Sequence, residues 1–232
     1  SGNGIAGEFS VTPNPVAFGN QLVGTTSAAL TATLTNSGAG SLTVSALPDP
    51  SAPFARSGGT CGATPFVIAG GSSCTVEYTF APTASGAANG SVAIVTSVAS
   101  VNLSLTGTGI QGALTIAPTT VAFGDVLVGS TSNAQTVTLS NSGTAPLDVT
   151  ALTAASAPFA RSGGTCAATP PITIAAGGSC TLTYTFAPTT AGAANQTLTV
   201  TANAPGSGTI TLTGTGTPSA DLSIVKSSAT YL

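Results

Sequence analysis

The chain contains no histidine, tryptophan or methionine, and it has few charged side chains of either sign. Without histidine, a serine–histidine–aspartate triad and most zinc sites cannot be assembled. Only Arg56, Arg161 and Lys226 are cationic, so no basic stripe is available to neutralise nucleic-acid phosphates. Charged residues make up 4% of the sequence, against roughly 25% in an average soluble protein. These absences predict a protein without nucleic-acid partners.

The few acidic side chains form no recognisable catalytic group. Paired-carboxylate chemistry requires two acids in one cleft. The acids are far apart in the sequence and lie on or beside different predicted strands: Glu8, Asp49, Glu77, Asp125, Asp148 and Asp221. The Gly-rich string SGGT, at 57–60 and 162–165, precedes a cysteine and lacks the lysine of a phosphate-binding loop. We therefore predict a protein that is not an enzyme and uses no cofactor or metal.

Long hydrophobic runs are also missing, although 42% of the residues are hydrophobic. Apolar residues alternate with Ser, Thr and Asn and never continue for the roughly 18 positions that a membrane-spanning helix needs. A chain of 232 residues with this composition can instead bury one or two domain cores of ordinary size.

What the sequence does contain is an internal repeat. The string SAPFARSGGTC occurs at 51–61 and again at 156–166. Likewise SCTVEYTFAPT at 73–83 matches SCTLTYTFAPT at 179–189, after one inserted residue. Two copies predict two domains. Both ends of the chain resemble the junction between the two repeats, which indicates an excerpt from a longer array, with a mature subunit as the alternative. The predicted divisions are a linker or the tail of a preceding repeat (1–7), repeat 1 (8–109), repeat 2 (110–217), and a linker with the first strand of a following domain or a donor strand (218–232).

Within each copy the hydrophobic periodicity is that of β-strands. Leu30, Ala32 and Leu34 alternate with threonines, as apolar and polar residues do in the string CTVEYTF. Turn strings such as NSG separate the strands, and we expect Gly and Asn to supply positive φ there. The pattern predicts an all-β fold of two tandem Ig-like antiparallel β-sandwich domains with about seven strands each.

Each copy contains two cysteines close together in sequence. We expect Cys61 to pair with Cys74, and Cys166 with Cys180, each closing a local loop. In the chain-entropy model such a loop contributes roughly 3 kcal/mol to stability, and disulfides imply an oxidising compartment. The alternative is a zinc site built from all four cysteines. Against it, neither pair has C-x-x-C spacing and the pairs lie in different repeats.

The repeated string also offers two loop anchors per copy. Phe54 and Phe159 are large apolar side chains among small residues, and each is worth roughly 2 kcal/mol if buried. Arg56 and Arg161 have two interpretations. Each guanidinium could bind loop carbonyl oxygens that lack strand partners, or it could contact a ligand at the loop tip.

The ordered set of motifs resembles a known bacterial repeat. The combination VAFG, VG, LTNSG, PF, C, AGGSSCTVEYTFAPT and GTG is similar to the choice-of-anchor D repeat, a relative of the ASH and Hydin domains in the PapD-like branch of Ig-like sandwiches. The resemblance covers about residues 8–217. A shorter string, ADLSIVKSS at 220–228, resembles the start of a DUF11 repeat. The resemblance implies an exported or surface-anchored bacterial protein and brings no catalytic residues.

Three classes of function remain. The first is a non-catalytic extracellular spacer or a building block of a fibre or surface layer, located at the bacterial cell surface or in the periplasm. The second is an adhesin-type module that binds a surface glycan or protein through loops at the end of the sandwich. The third, an enzyme or accessory domain of one, has the least support. Expected partners are neighbouring Ig-like domains or copies of the same chain, because strand edges without lysine allow strand addition. The candidate donor strand contains Leu222, Ile224 and Tyr231.

Overall fold

The computed structural model describes residues 6–219, in which every regular element is a β-strand. The chain divides into two compact units, with unit 1 ending at Gln111 and unit 2 beginning at Gly112. The candidate donor residues Leu222, Ile224 and Tyr231 lie outside the described part of the chain. Among residues 6–219, none belongs to a helix of the length and apolar character needed to cross a membrane.

Unit 1 is built from two sheets that enclose one core. Its strands are β1 (Phe9–Thr12), β2 (Val16–Leu22), β3 (Leu30–Asn36), β4 (Leu42–Ala46), β5 (Phe54–Gly58), β6 (Phe66–Ile68), β7 (Ser73–Phe80), β8 (Gly86–Thr96) and β9 (Ser100–Ile110). One sheet has the order β1-β3-β7-β5, and the other has the order β2-β9-β8-β4-β6.

Unit 2 repeats this arrangement strand for strand. Its strands are β10 (Leu114–Ala117), β11 (Thr120–Leu127), β12 (Gln135–Asn141), β13 (Leu147–Leu152), β14 (Phe159–Gly163), β15 (Ile172–Ile174), β16 (Ser179–Phe186), β17 (Gly192–Ala202) and β18 (Gly208–Thr217). The sheet orders are β10-β12-β16-β14 and β11-β18-β17-β13-β15.

Strand alternation explains the cores. In β7, Val76, Tyr78 and Phe80 have no exposed surface, whereas the intervening threonines and Glu77 are partly exposed. Buried residues from both sheets form one hydrophobic cluster in unit 1, and a second cluster occupies largely corresponding positions in unit 2. The predicted all-β sandwich fold is confirmed.

The structure departs from the expected strand pattern in two ways. First, each unit has nine strands in the described residues rather than about seven, because β5 and β6, and their counterparts β14 and β15, are short and flank the cysteine loop. Second, β2 pairs with β9 in parallel, as β11 does with β18, so the sheets are not purely antiparallel. These pairs carry a register shift at Gly19 and Gly124, which have positive φ.

The asparagine of each NSG string is a buried hydrogen-bonding centre. The Asn36 side-chain oxygen accepts from the N–H groups of Glu8 at 3.1 Å and Gly38 at 3.2 Å. Its amide nitrogen donates to the carbonyl oxygens of Gly40 at 2.8 Å and Ile68 at 3.0 Å. Asn141 in unit 2 makes the equivalent four bonds. The expectation of positive φ at these asparagines is wrong, because only glycines have positive φ within residues 6–219.

Candidate functional site

In both units a disulfide ties a surface loop to a central strand. Cys61 is bonded to Cys74 in β7, with the Cα atoms 5.0 Å apart. Cys166 is bonded to Cys180 in β16, with the Cα atoms 4.9 Å apart. We call residues 54–74 and 159–180 the clasps. Because each bond lies within one unit, the structure is incompatible with a zinc site made from all four cysteines.

Two threonines fix the loop just before the first cysteine of each clasp. The Thr60 N–H donates to the Thr75 hydroxyl at 3.1 Å, and the Thr75 N–H donates to the Thr60 hydroxyl at 2.9 Å. Gly59 has a φ of +112°, and a Cβ there would overlap the Thr75 carbonyl oxygen, so only glycine fits. The same pair of bonds joins Thr165 and Thr181 in unit 2. These contacts explain why the string GGTC occurs in both copies.

Each clasp contains an arginine that binds loop carbonyl oxygens. Arg56 Nη2 donates to the Cys61 carbonyl oxygen at 2.8 Å, and Arg161 Nη2 donates to that of Cys166 at 2.7 Å. Arg161 also donates to the carbonyl oxygens of Ala167 and Ala168, both at 3.0 Å, and of Gly163 at 3.4 Å. The first of the two sequence interpretations, binding of loop carbonyls, therefore describes the contacts made by both arginines.

A buried tyrosine is the cross-strand partner of each arginine. Tyr78 is opposite Arg56, is 0% exposed, and its hydroxyl has no hydrogen-bond partner in the described residues. Burial raises the pKa of Tyr78; the Arg56 guanidinium acts to lower it, and the Asp49 carboxylate acts to raise it. Tyr184 is opposite Arg161 and is 1% exposed. Burial raises the pKa of Tyr184 too, opposed by the Arg161 guanidinium.

A cavity of about 460 Å³ adjoins the arginine and tyrosine of unit 2. Its apolar wall includes Leu152, Ala155 and Pro170, and its polar groups include Arg161 and Tyr184. The cavity falls within the roughly 300–1,000 Å³ range of small-ligand sites. Sequence reasoning did not find it, because its lining comes from four loop and strand segments that are separate in the chain.

The predicted phenylalanine anchors belong to an aromatic cluster in each unit. Phe54 is 2% exposed, and its ring centroid lies 5.0 Å from that of Phe80 and 5.7 Å from that of Phe18. Phe159 is 1% exposed and makes the equivalent contacts with Phe186 at 5.0 Å and Phe123 at 5.8 Å. The first residue of each clasp is thereby held in the core, close to the strand that carries the second cysteine.

No group of three or more His, Cys, Asp or Glu side chains is close enough to hold a metal ion in the part of the chain that the structure describes. The chemistry that the two clasps display is hydrogen bonding to backbone groups and covalent closure of a loop.

Part of the chain matches a known family model. Residues 112–210, all in unit 2, match the family model described as ASH, for abnormal spindle-like microcephaly-associated, ASPM-SPD-2-Hydin. The match spans less than half of the chain. A search of curated proteins finds no match.

Several solved structures are similar. A protein of unknown function from Porphyromonas gingivalis W83 is 14% identical, with 89% of this chain and 99% of that chain covered and a TM-score of 0.37. PapD-like domain 7 of human CEP192, an ASH domain, is 18% identical over 47% of this chain and 89% of that chain, with a TM-score of 0.38. The E. coli chaperone DraB is 10% identical over 89% and 98% of the two chains, with a TM-score of 0.32.

Proposed function

We propose that this chain is a non-catalytic extracellular structural module of a bacterial exported protein. It serves as a disulfide-clasped spacer or as a building block of a fibre or surface layer. The observation that carries the proposal is that both units contain the same clasp, with the same disulfide, threonine pair and arginine-to-carbonyl bond. A contact needed for stability has to recur in every copy, whereas one specific binding site would be needed only once.

The location follows from the disulfides. Such bonds persist in oxidising compartments and are rare in the cytosol of mesophiles. The proposed location is therefore the cell surface or extracellular space, with the periplasm as the alternative. We further propose that the units are two choice-of-anchor D repeats, at 8–109 and 110–217, flanked by the segments 1–7 and 218–232.

The proposed partners are neighbouring Ig-like domains or copies of the chain. Strands β1, β5, β2 and β6 are the sheet edges of unit 1, and they contain one cation, Arg56. Lysine side chains on edge strands commonly prevent another chain from pairing with the edge, and these edges have none. In this proposal residues 218–232 either begin the next domain or donate a strand. Deleting residues 219–232 distinguishes the two: donation requires that the intact chain associates with rising concentration, measured by light scattering, and that the truncated chain does not.

An adhesin-type binding module is the second candidate, and one surface favours it. Val67 in β6, Val95 in β8 and Val98 in the turn between β8 and β9 are 64%, 37% and 45% exposed. Exposed apolar groups near one another are a common feature of protein contact surfaces. A glycan and protein array distinguishes the candidates, because a spacer gives no specific hits and an adhesin gives hits that disappear in a Val67→Thr and Val98→Ala variant.

The direct test of the principal proposal is the thiol state of the chain in the cells that produce it. Cells are lysed in denaturant without reductant, in the presence of a maleimide polymer that labels free thiols. An exported, clasped chain stays unlabelled and gains label on all four cysteines only after reduction. A cytosolic version lacking its export route serves as the control and should be labelled without reductant. Labelling of the native chain without reductant would refute the proposed location.

A further inference from the structure

The cavity of unit 2 has a polar end that the clasp does not fully use. The side chain of Tyr184 is 1% exposed and lines the cavity, and its hydroxyl is a hydrogen-bond donor group. Arg161 has five N–H groups, and four of them donate to the loop carbonyls described above. One arginine N–H therefore remains for a ligand, and the Tyr184 hydroxyl is a second donor group in the cavity lining.

The charge beside this cavity is not compensated by a protein carboxylate. In unit 1, Asp49 is near enough to act on Tyr78, and the Glu77 carboxylate lies 2.9 Å from where a Cβ on Gly58 would be. By alignment of the repeats, unit 2 has Ala154 in place of Asp49 and Thr183 in place of Glu77. No acidic side chain forms an ion pair with Arg161 in the described part of the chain. Unit 2 thus has the arginine but no counterpart of the acid that acts on Tyr78 or of the acid beside Gly58.

The cavity wall is held in place before any ligand arrives. Gln196 fixes the 152–155 segment: its side-chain oxygen accepts from the Ser156 N–H at 3.0 Å, and its amide nitrogen donates to the Ala154 carbonyl oxygen at 3.3 Å. Unit 1 has Gly90 at this position and makes no such bonds. On the opposite side, the inserted residue of unit 2 produces the consecutive prolines Pro170 and Pro171. A wall fixed in advance reduces the entropy that binding costs.

From these observations we infer that the unit 2 cavity binds a small monocarboxylate with an apolar body. The carboxylate lies at the Arg161 guanidinium and the Tyr184 hydroxyl, and the body packs on Leu152, Ala155 and Pro170. Two donors suit the two oxygens of a carboxylate. A phosphate or sulfate has more oxygens to satisfy, and the lining adds only the Thr153 and Thr169 hydroxyls to these two donors. This site goes beyond the proposed structural role, and its failure would leave that role unaffected.

The test is an NMR titration of the full chain with 4-phenylbutyrate and with the uncharged 4-phenylbutanamide. We expect saturable shifts from the carboxylate at the amides of 152–155 and 168–170, and affinity at least about tenfold weaker for the amide. Ala154→Asp restores the acid of unit 1 and should weaken carboxylate binding by about tenfold or more. Ala154→Asn, which has the shape of Asp without the charge, should bind the carboxylate about tenfold or more tightly than Ala154→Asp. Tyr184→Phe should weaken binding severalfold while the Arg161 contacts persist.

Three results would overturn the inference. They are the absence of saturable shifts at these amides, equal binding of the carboxylate and the amide, and equal binding by the Asp and Asn variants at position 154. The Arg56 region of unit 1 is an internal control, because Asp49 should prevent carboxylate binding there. The reciprocal variant Asp49→Ala should leave the unit 2 shifts unchanged, which confirms that the titration reports the unit 2 site.

Discussion

Units 1 and 2 share their cores and clasps but differ in the polar groups around them. The disulfide, the threonine pair, the buried asparagine and the phenylalanine cluster recur with distances that agree within a few tenths of an ångström. Asp49, which acts on the clasp tyrosine of unit 1, and Glu77 have no acidic counterparts in unit 2. The repeated residues are therefore those that close the loops and fill the core of the sandwich. The residues that differ between the units are polar groups closer to the surface.

The outer face of the five-stranded sheet shows the same division. In unit 2, the Asp148 carboxylate accepts from the Thr173 hydroxyl at 2.6 Å and from the Asn203 amide at 3.2 Å. In unit 1 the corresponding residues are Thr43, Val67 and Ser97. A polar network in one unit is replaced by a partly apolar surface in the other. The same scaffold thus presents two different faces, which supports separate contacts for the two units.

The largest effect should come from the buried asparagines. Asn36→Ala or Asn141→Ala removes four hydrogen bonds and leaves backbone groups unpaired, which should lower the free energy of unfolding of the affected unit by about 3–5 kcal/mol. Amide hydrogen exchange, read separately for each unit, measures this. Ser37→Ala, at an exposed neighbouring position, is the control and should change little. An Asn36→Ala effect spread equally over both units would contradict the division into self-contained cores.

Next in size is the loss of one clasp. Replacing Cys166 and Cys180 by alanine should lower the stability of unit 2 by about 3 kcal/mol, because the unfolded chain regains the entropy of an open loop. The matched variant replaces Cys61 and Cys74 and should affect unit 1 by a similar amount. Chemical denaturation of both variants, with the parent chain under reducing conditions as a third sample, checks the comparison. Unequal losses would show that the clasps are not equivalent.

The glycines against the phenylalanine clusters should have a smaller effect. A Cβ at Gly107 would lie 2.6 Å from Phe80 Cε1, and one at Gly214 would lie 2.7 Å from Phe186 Cδ1. Gly107→Ala and Gly214→Ala should therefore each destabilise their unit by about 1–3 kcal/mol through overpacking. Gly163→Ala is the control, because its Cβ would meet nothing within 4 Å. Thermal unfolding of the three variants decides whether the cluster is as tightly packed as the distances indicate.

The smallest effect concerns the tyrosines. Tyr78→Phe removes a buried hydroxyl that has no partner in the described residues, and should stabilise unit 1 by about 1 kcal/mol. Burial raises the pKa of Tyr78 in the folded state above its ordinary value of 10.0. The Tyr78 hydroxyl therefore loses its proton at lower pH in the unfolded state than in the folded state. The free energy of unfolding is unaffected by this titration below pH 10, and it declines as the pH rises through the folded-state pKa. Phe variants should lose this alkaline slope, measured by unfolding between pH 8 and about 12.

Sequence reasoning reached the fold because alternation in strands such as β3 and β7 reports directly on burial. It missed β5 and β6, because a strand of three to five residues has too little periodicity to be distinguished from a loop. It assigned the NSG asparagine to a turn, since the partners of Asn36 lie up to 32 residues away and leave no local signal. The unit 2 cavity escaped for the same reason. The one signal in the sequence was that Asp49 of repeat 1 is replaced by Ala154 in repeat 2. This difference can be related to a site only when the structure shows where Arg161 lies.

The central claim is that the chain consists of two self-contained, clasped sandwiches suited to a spacer, and single-molecule stretching from its two ends tests it most directly. We expect two unfolding steps under oxidising conditions. After reduction, each step should lengthen by about 40–45 Å: the disulfides span sequence separations of 13 and 14, a stretched residue adds about 3.5 Å, and the 5.0 and 4.9 Å between the bonded Cα atoms are subtracted. A single step, or step lengths that do not change on reduction, would contradict the account.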